Sequence, residues 1–134
     1  MSAVKLHLFS KTTILIIEDN LSLLRVLSDK LESEGYKILA AGDGKTGLET
    51  ALAEHPDLIT LDMMMPEMDG LTVLKELRKD PWGKDVKVIV LSNLVRGEGA
   101  TEELKSYNIT EFVEKMELSL GNIVKKVEKA LSQK

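Results

Sequence analysis

Cysteine is absent from the 134-residue chain, which excludes a disulfide scaffold, a cysteine-ligated zinc site and a thiol nucleophile. Only two histidines are present, His7 and His55, too few for a histidine-rich metal site or a histidine-based catalytic network. With 3 prolines and 9 glycines, collagen-like and low-complexity assemblies are excluded as well. A surplus of positive charge is also missing. Eighteen Lys and Arg face 22 Asp and Glu, a net charge of −4, so the electrostatic footprint of non-specific nucleic-acid binding is not there. No apolar run approaches the roughly 20 residues that a membrane span needs. The first nine residues have neither the apolar core nor the cleavage site of a signal peptide. These absences together set the expectation of a cytoplasmic protein that binds neither nucleic acid nor membrane.

What is present is a globular balance of 43% hydrophobic and 30% charged residues, in a length that suits one domain of about 100–150 residues. Apolar runs of strand length alternate with stretches of helical periodicity. Ile14-Leu15-Ile16-Ile17 reads as a buried strand closed by Glu18-Asp19-Asn20. Leu21, Leu24, Leu27 and Leu31 recur at helical spacing, and Gly35 ends that helix. The same reading gives strands at 36–41, 58–61, 86–91 and 111–114, and helices at about 45–54, 71–79, 99–107 and 120–131. Five strand–helix units whose strands are apolar on both faces imply a parallel sheet covered on both sides, hence an α/β, doubly wound fold. A closed barrel needs nearly twice the length. Residues 1–12 fit no element and read as an N-terminal tail ahead of a core at about 13–132.

Open sheets of this kind bind ligands beyond the carboxyl ends of their strands. The residues there are Glu18 and Asp19 after the first strand, Asp62 after the third, Ser92 after the fourth and Lys115 after the fifth. Taken alone, Glu18-Asp19 suits a helix N-terminus, Asp62 a turn and Lys115 a surface charge. Their joint placement on separate strand ends points to one rim. Carboxylates gathered a few ångströms apart repel by on the order of 4 kcal/mol per pair at an effective dielectric near 20. A hard divalent cation such as Mg²⁺, which takes a few carboxylates alongside water and phosphate oxygens, offsets that repulsion. An acid beside such a metal can serve as a phosphoryl-accepting nucleophile, with a hydroxyl and an ammonium to hold the transferred oxygens.

At these residues the chain resembles the receiver domain of two-component response regulators, the family of the chemotaxis regulator, over about residues 13–132. The most specific part is Asp62-Met63-Met64-Met65-Pro66-Glu67-Met68-Asp69-Gly70 following Pro56-Asp57-Leu58-Ile59, supported by Ile16-Ile17-Glu18-Asp19-Asn20 and Glu114-Lys115. The resemblance implies a single receiver domain over 1–134 with a flavodoxin-like (βα)5 sheet of strand order 2-1-3-4-5. It implies that Asp62 accepts a phosphoryl group from a sensor histidine kinase or phosphotransfer protein. Mg²⁺ is then held by Glu18, Asp19, Asp62 and the backbone carbonyl of Met64. Ser92 hydrogen-bonds the phosphoryl group, Lys115 pairs with it, and Phe112 with Ser92 forms the switch. Output passes to a downstream protein through the face made by the fourth helix, fifth strand and fifth helix. Such a chain is a signalling domain, not an enzyme beyond its own phosphorylation and dephosphorylation.

Three residues depart from the family pattern. Met116 stands where a proline in a cis peptide is usual, and a cis bond before Met costs roughly 2.5–4 kcal/mol, so the loop after Lys115 is either trans or strained. Asn93 stands where Ala or Gly is usual, and Phe112 lacks a tyrosine's hydroxyl. A docking domain that takes no phosphate is therefore one alternative. An aspartyl phosphatase is another, against which stands Met64 where a second acid is expected. A flavin binder lacks its phosphate-cradling loop after the first strand. Gly42-Asp43-Gly44-Lys45-Thr46 reads as a strand-to-helix turn, because Leu39 occupies the position of the first Walker glycine. The methionines at 63, 64, 65 and 68 read as packing and loop contacts.

Overall fold

The computed structural model describes residues 12–93 and 99–133, with the side chains of 99–101 left aside. The elements run β1 (Thr13–Ile17), α1 (Leu21–Ser33), β2 (Lys37–Ala41), α2 (Gly44–Glu54), β3 (Leu58–Asp62) and α3 (Gly70–Lys79). Then follow β4 (Lys87–Ser92), α4 (Gly99–Lys105), β5 (Glu111–Glu114), a 3₁₀ turn (Lys115–Glu117) and α5 (Leu120–Ser132). The five strands form one parallel sheet in the order β2-β1-β3-β4-β5. This is the flavodoxin-like (βα)5 order. The expected tail at 1–12 lies outside the described residues apart from Thr12.

The period-2 alternation of strand side chains sorts the core into two layers. Leu15 and Ile17 of β1, Ile59 and Leu61 of β3, and Val88 and Val90 of β4 pack with Ala51, Val73, Leu74, Leu77 and Leu104 of α2, α3 and α4. Their neighbours in sequence face the other way. Ile14, Ile16, Leu58, Ile89, Leu91 and Val113 pack with Leu27 and Leu31 of α1 and with Ile123, Val127 and Ala130 of α5. Both faces are thus buried, which is why the strands read as continuous apolar runs.

Short polar side chains start the helices. Asn20 accepts from the Leu23 amide at 3.1 Å, Asp43 from Thr46 at 2.7 Å, Asp69 from Thr72 at 2.9 Å and Ser119 from Asn122 at 3.1 Å. Such caps contribute about 1 kcal/mol each. With Asn20 as the cap of α1, Glu18 and Asp19 are not needed at that helix end.

Several boundaries differ from the sequence reading for local reasons. Tyr36 lies in the turn that closes α1, ahead of β2, because its amide donates to the Leu31 carbonyl after Gly35 turns the chain at φ 99°. β3 and β4 run through Asp62 and Ser92, so both polar residues close a strand instead of following it. α4 stops at Lys105, since the amides of Ser106, Tyr107 and Asn108 each reach back three residues and Asn108 takes φ 58°. That tightening ends the helix two residues early.

A single arginine ties two connections together. Arg78 of α3 donates from Nε to the Tyr107 carbonyl at 2.8 Å and from Nη1 to Gly83 at 2.7 Å and Val86 at 2.8 Å. Its Nη2 donates to Asn108 at 3.1 Å. Trp82 stacks on His55 with ring centroids 4.4 Å apart. Both rings lie just before the starts of β3 and β4, at the end of the sheet away from the acids. Among the described residues, no helix is long and apolar enough to cross a membrane.

Candidate functional site

Among the described residues, the fully buried polar side chains are those of Glu18, Thr60, Asp62 and Ser92. Three of the four end a strand or follow it directly at the carboxyl edge of the sheet. β1 delivers Glu18, whose amide donates to the Ala41 carbonyl at 3.0 Å, and Asp19, which is half-buried. β3 delivers Asp62, only 1% exposed. Oxygens of Glu18, Asp19 and Asp62 all lie within 4.8 Å of one another.

Local structure fixes the orientation of each acid. The Asn20 amide donates to Glu18 Oε2 at 3.0 Å, turning that carboxylate back over the start of the loop. The Met64 amide donates to Asp62 Oδ1 at 3.3 Å. Gly70 closes the β3–α3 loop from behind, its amide donating to the Met63 carbonyl at 3.1 Å. A Cβ on Gly70 would sit 2.3 Å from the Asp62 carbonyl oxygen, so only glycine lets α3 start this close to the acid. Met63 and Met65 pack into the core while Met64 is 58% exposed.

Lys115 supplies the counter-charge. Its ammonium lies 2.9 Å from Glu18 Oε1 and 3.2 Å from Asp62 Oδ1, and donates to Glu18 Oε2 at 3.0 Å. Among the described residues every peptide bond is trans, including that before Met116. The trans loop still lets Lys115 reach the acids, while Met116 points away and is 89% exposed. Burial opposes the charge on Lys115, but the hydrogen bond and charge of Glu18, with Asp62 behind them, outweigh it and hold the ammonium above its usual range. Asp62 also shifts upward, which for a carboxylate disfavours the charge. Burial, the adjoining Asp19 carboxylate and the charge of Glu18 push it up to about 7, against the pull of Lys115.

Ser92, fully buried, ends β4 and pairs in register with Glu114. Phe112 pairs with Val90 and packs, half-buried, on the α2–α3–α4 layer. Alternation places Ser92 on the same sheet face as Val90 and Phe112. Asn93 is exposed. Two features were missed in the sequence. The direct Lys115–Glu18 pairing had no signal beyond two opposite charges at strand ends, and Thr60 was hidden inside an apolar run.

The donor set is all oxygen from three crowded carboxylates. Asp62 Oδ2 is buried without a hydrogen-bond partner. Both facts fit a hard divalent cation.

Comparison with known proteins agrees with this arrangement. The family model "Response regulator receiver domain" matches residues 14–128. The chain belongs to the response regulator receiver family. The receiver is 36% identical over 127 residues to the "Probable transcriptional regulator ycf27" of Porphyridium aerugineum, covering 91% of this chain and 52% of that protein. It is 41% identical over 81 residues to "Response regulator PleD" of Caulobacter vibrioides, covering 60% of this chain and 18% of that one. The chain therefore spans about half or less of the curated relatives it matches. Among solved structures, the Francisella response regulator 1452 receiver domain superposes with TM-score 0.79 at 29% identity, covering 90% of this chain and 96% of that chain. A DNA-binding response regulator of the LuxR family from Staphylococcus aureus gives TM-score 0.81 at 28% identity, covering 90% and 99%. A receiver is a signalling module and not a conventional enzyme, and this one carries an acidic cluster able to coordinate a divalent metal.

Proposed function

We propose that Asp62 is the phosphoacceptor of this receiver and that its donor is a phosphohistidine on a sensor histidine kinase or phosphotransfer protein. The observation that carries the reading is the convergence of Glu18, Asp19 and Asp62 within 4.8 Å, with the Lys115 ammonium on Asp62. In the transfer, an Asp62 carboxylate oxygen forms the new P–O bond while the donor's P–N bond breaks and the imidazole leaves. Glu18, Asp19, Asp62 and the Met64 carbonyl would hold Mg²⁺, which would supply positive charge to the phosphoryl oxygens. Lys115 then exchanges its carboxylate contact for a phosphoryl oxygen, and Ser92 hydrogen-bonds another. Movement of Ser92 opens room for Phe112 on the same sheet face. That remodels the α4–β5–α5 face, through which a downstream protein in the cytoplasm is engaged.

The test uses acetyl phosphate as donor with Mg²⁺. Wild type gains one phosphoryl mass on Asp62, labile to base as an acyl phosphate is, and Asp62→Asn gains none. Equal labelling of the variant would remove Asp62 from the role, and catalytic turnover of phosphoesters would replace the receiver reading with a phosphatase.

A further inference from the structure

The amino end of the sheet, opposite the acids, carries an open pocket of about 420 Å³. His55 and Asp57 line it ahead of β3, Trp82, Asp85 and Lys87 around the start of β4, and Leu131 from α5. Trp82 packs on the α2–α3–α4 layer and Leu131 on the α1–α5 layer. The pocket therefore runs beneath the sheet from one core layer to the other. The stacked rings of Trp82 and His55 give it an aromatic wall. Asp57 and Asp85 are both exposed there. The ammonium of Lys87 is engaged elsewhere, donating to the carbonyls of Ala130 and Gln133 at the end of α5. Apolar walls with two carboxylates at the rim suit a segment that is both apolar and basic.

The chain itself brings such a segment to the pocket. The Thr13 amide donates to Asp57 Oδ2 at 2.8 Å, and the Asp57 amide donates to the Thr13 carbonyl at 2.9 Å. The start of β1 is thus tied to a residue of the pocket wall, and residues 1–11 join the fold beside it. They include Val4, Leu6, Leu8 and Phe9, carry Lys5 and Lys11, and contain no acid. In the sheet order, β3 separates β1 from β4. Two strand spacings come to about 10 Å, which about three extended residues cover. Counting back three from Thr12 reaches Phe9, with Leu8 next. A tether this short holds its segment at an effective concentration in the millimolar range, well above that of a second copy in dilute solution.

We propose that residues 4–11 of this chain dock in the pocket, with Leu8 and Phe9 against Trp82 and Leu131 and the two lysines answering Asp57 and Asp85. The segment straps the amino end of the sheet, and its docking does not depend on the role of Asp62.

Trp82 is the only tryptophan, so its fluorescence in the full-length protein reads the pocket directly. Wild type is compared with Leu8→Ser/Phe9→Ser, each checked for intact fold by far-UV circular dichroism. In the double variant Trp82 emission should shift to the red, and its quenching constant with acrylamide should rise severalfold. Lys5→Glu/Lys11→Glu should move both readings the same way, most strongly at low salt. Should the serine variant fail to fold, Leu8→Ala takes its place. Emission and quenching equal to wild type in the folded variant overturn the proposal. Wild-type quenching that falls as protein concentration rises also overturns it, since the occupant is then a second copy.

Discussion

The Lys115 ammonium and the Glu18 carboxylate, 97 positions apart in the chain, meet at 2.9 Å with the Glu18 side chain wholly buried. The same ammonium stands 3.2 Å from Asp62. One lysine therefore answers two buried acids, with Asp19 beside them. When all three acids are ionised the cluster keeps two negative charges in excess, which one Mg²⁺ cancels. The pairing accounts both for how the acids stay buried and for why the site welcomes a divalent cation.

Replacing Lys115 by Met strands Glu18 and Asp62 without a counter-ion. Breaking a buried pair from one side costs about 3–5 kcal/mol. Urea unfolding of Lys115→Met in EDTA should show a loss of that order, and Mg²⁺ should recover part of it by binding the folded state. A loss below about 1 kcal/mol would mean that water already screens the acids.

The fold was legible because its strands are apolar on both faces. Runs such as Ile14 to Ile17 and Val88 to Leu91 carry the parallel-sheet signal directly. The rim residues could be placed because each follows such a run. What stayed hidden depends on side-chain reach instead of period. Nothing near Lys115 in sequence shows that it grips Glu18. Thr60 passes as a strand residue because threonine is β-branched, and its buried hydroxyl stands out only once the layer around it is seen to be apolar. Arg78, at the end of an amphipathic helix, reads as a solvated charge favouring the helix C-terminus. In the structure it turns inward to four carbonyls.

Those four carbonyls, of Gly83, Val86, Tyr107 and Asn108, belong to the connections before β4 and before β5. No other side chain has the fork of donors needed to serve them at once. Arg78→Lys should therefore lose about 2–4 kcal/mol, near the cost of two or three broken hydrogen bonds to a charged group less what the ammonium retains. Hydrogen exchange should rise at residues 105–110 in particular. Equal exchange across that segment in both proteins would show that Arg78 does not hold the α4–β5 connection.

The raised Asp62 carboxyl gives the metal-free protein a pH dependence of defined sign. In the unfolded chain the group titrates near 3.8, and in the fold at about 7, because burial, Asp19 and Glu18 oppose its charge. The folded state thus binds the proton more tightly. Stability from this group is fully present below about 4 and is lost as pH rises through 7. Asp62→Asn removes the charge at every pH. In EDTA, its gain in stability over wild type should be small at pH 4.5 and should grow towards pH 8, measured by paired urea melts. Mg²⁺ favours the ionised carboxylate, so its stabilisation of wild type should grow over the same range. A gain for Asp62→Asn that stays level from pH 4.5 to 8 would show that Lys115 keeps Asp62 ionised throughout.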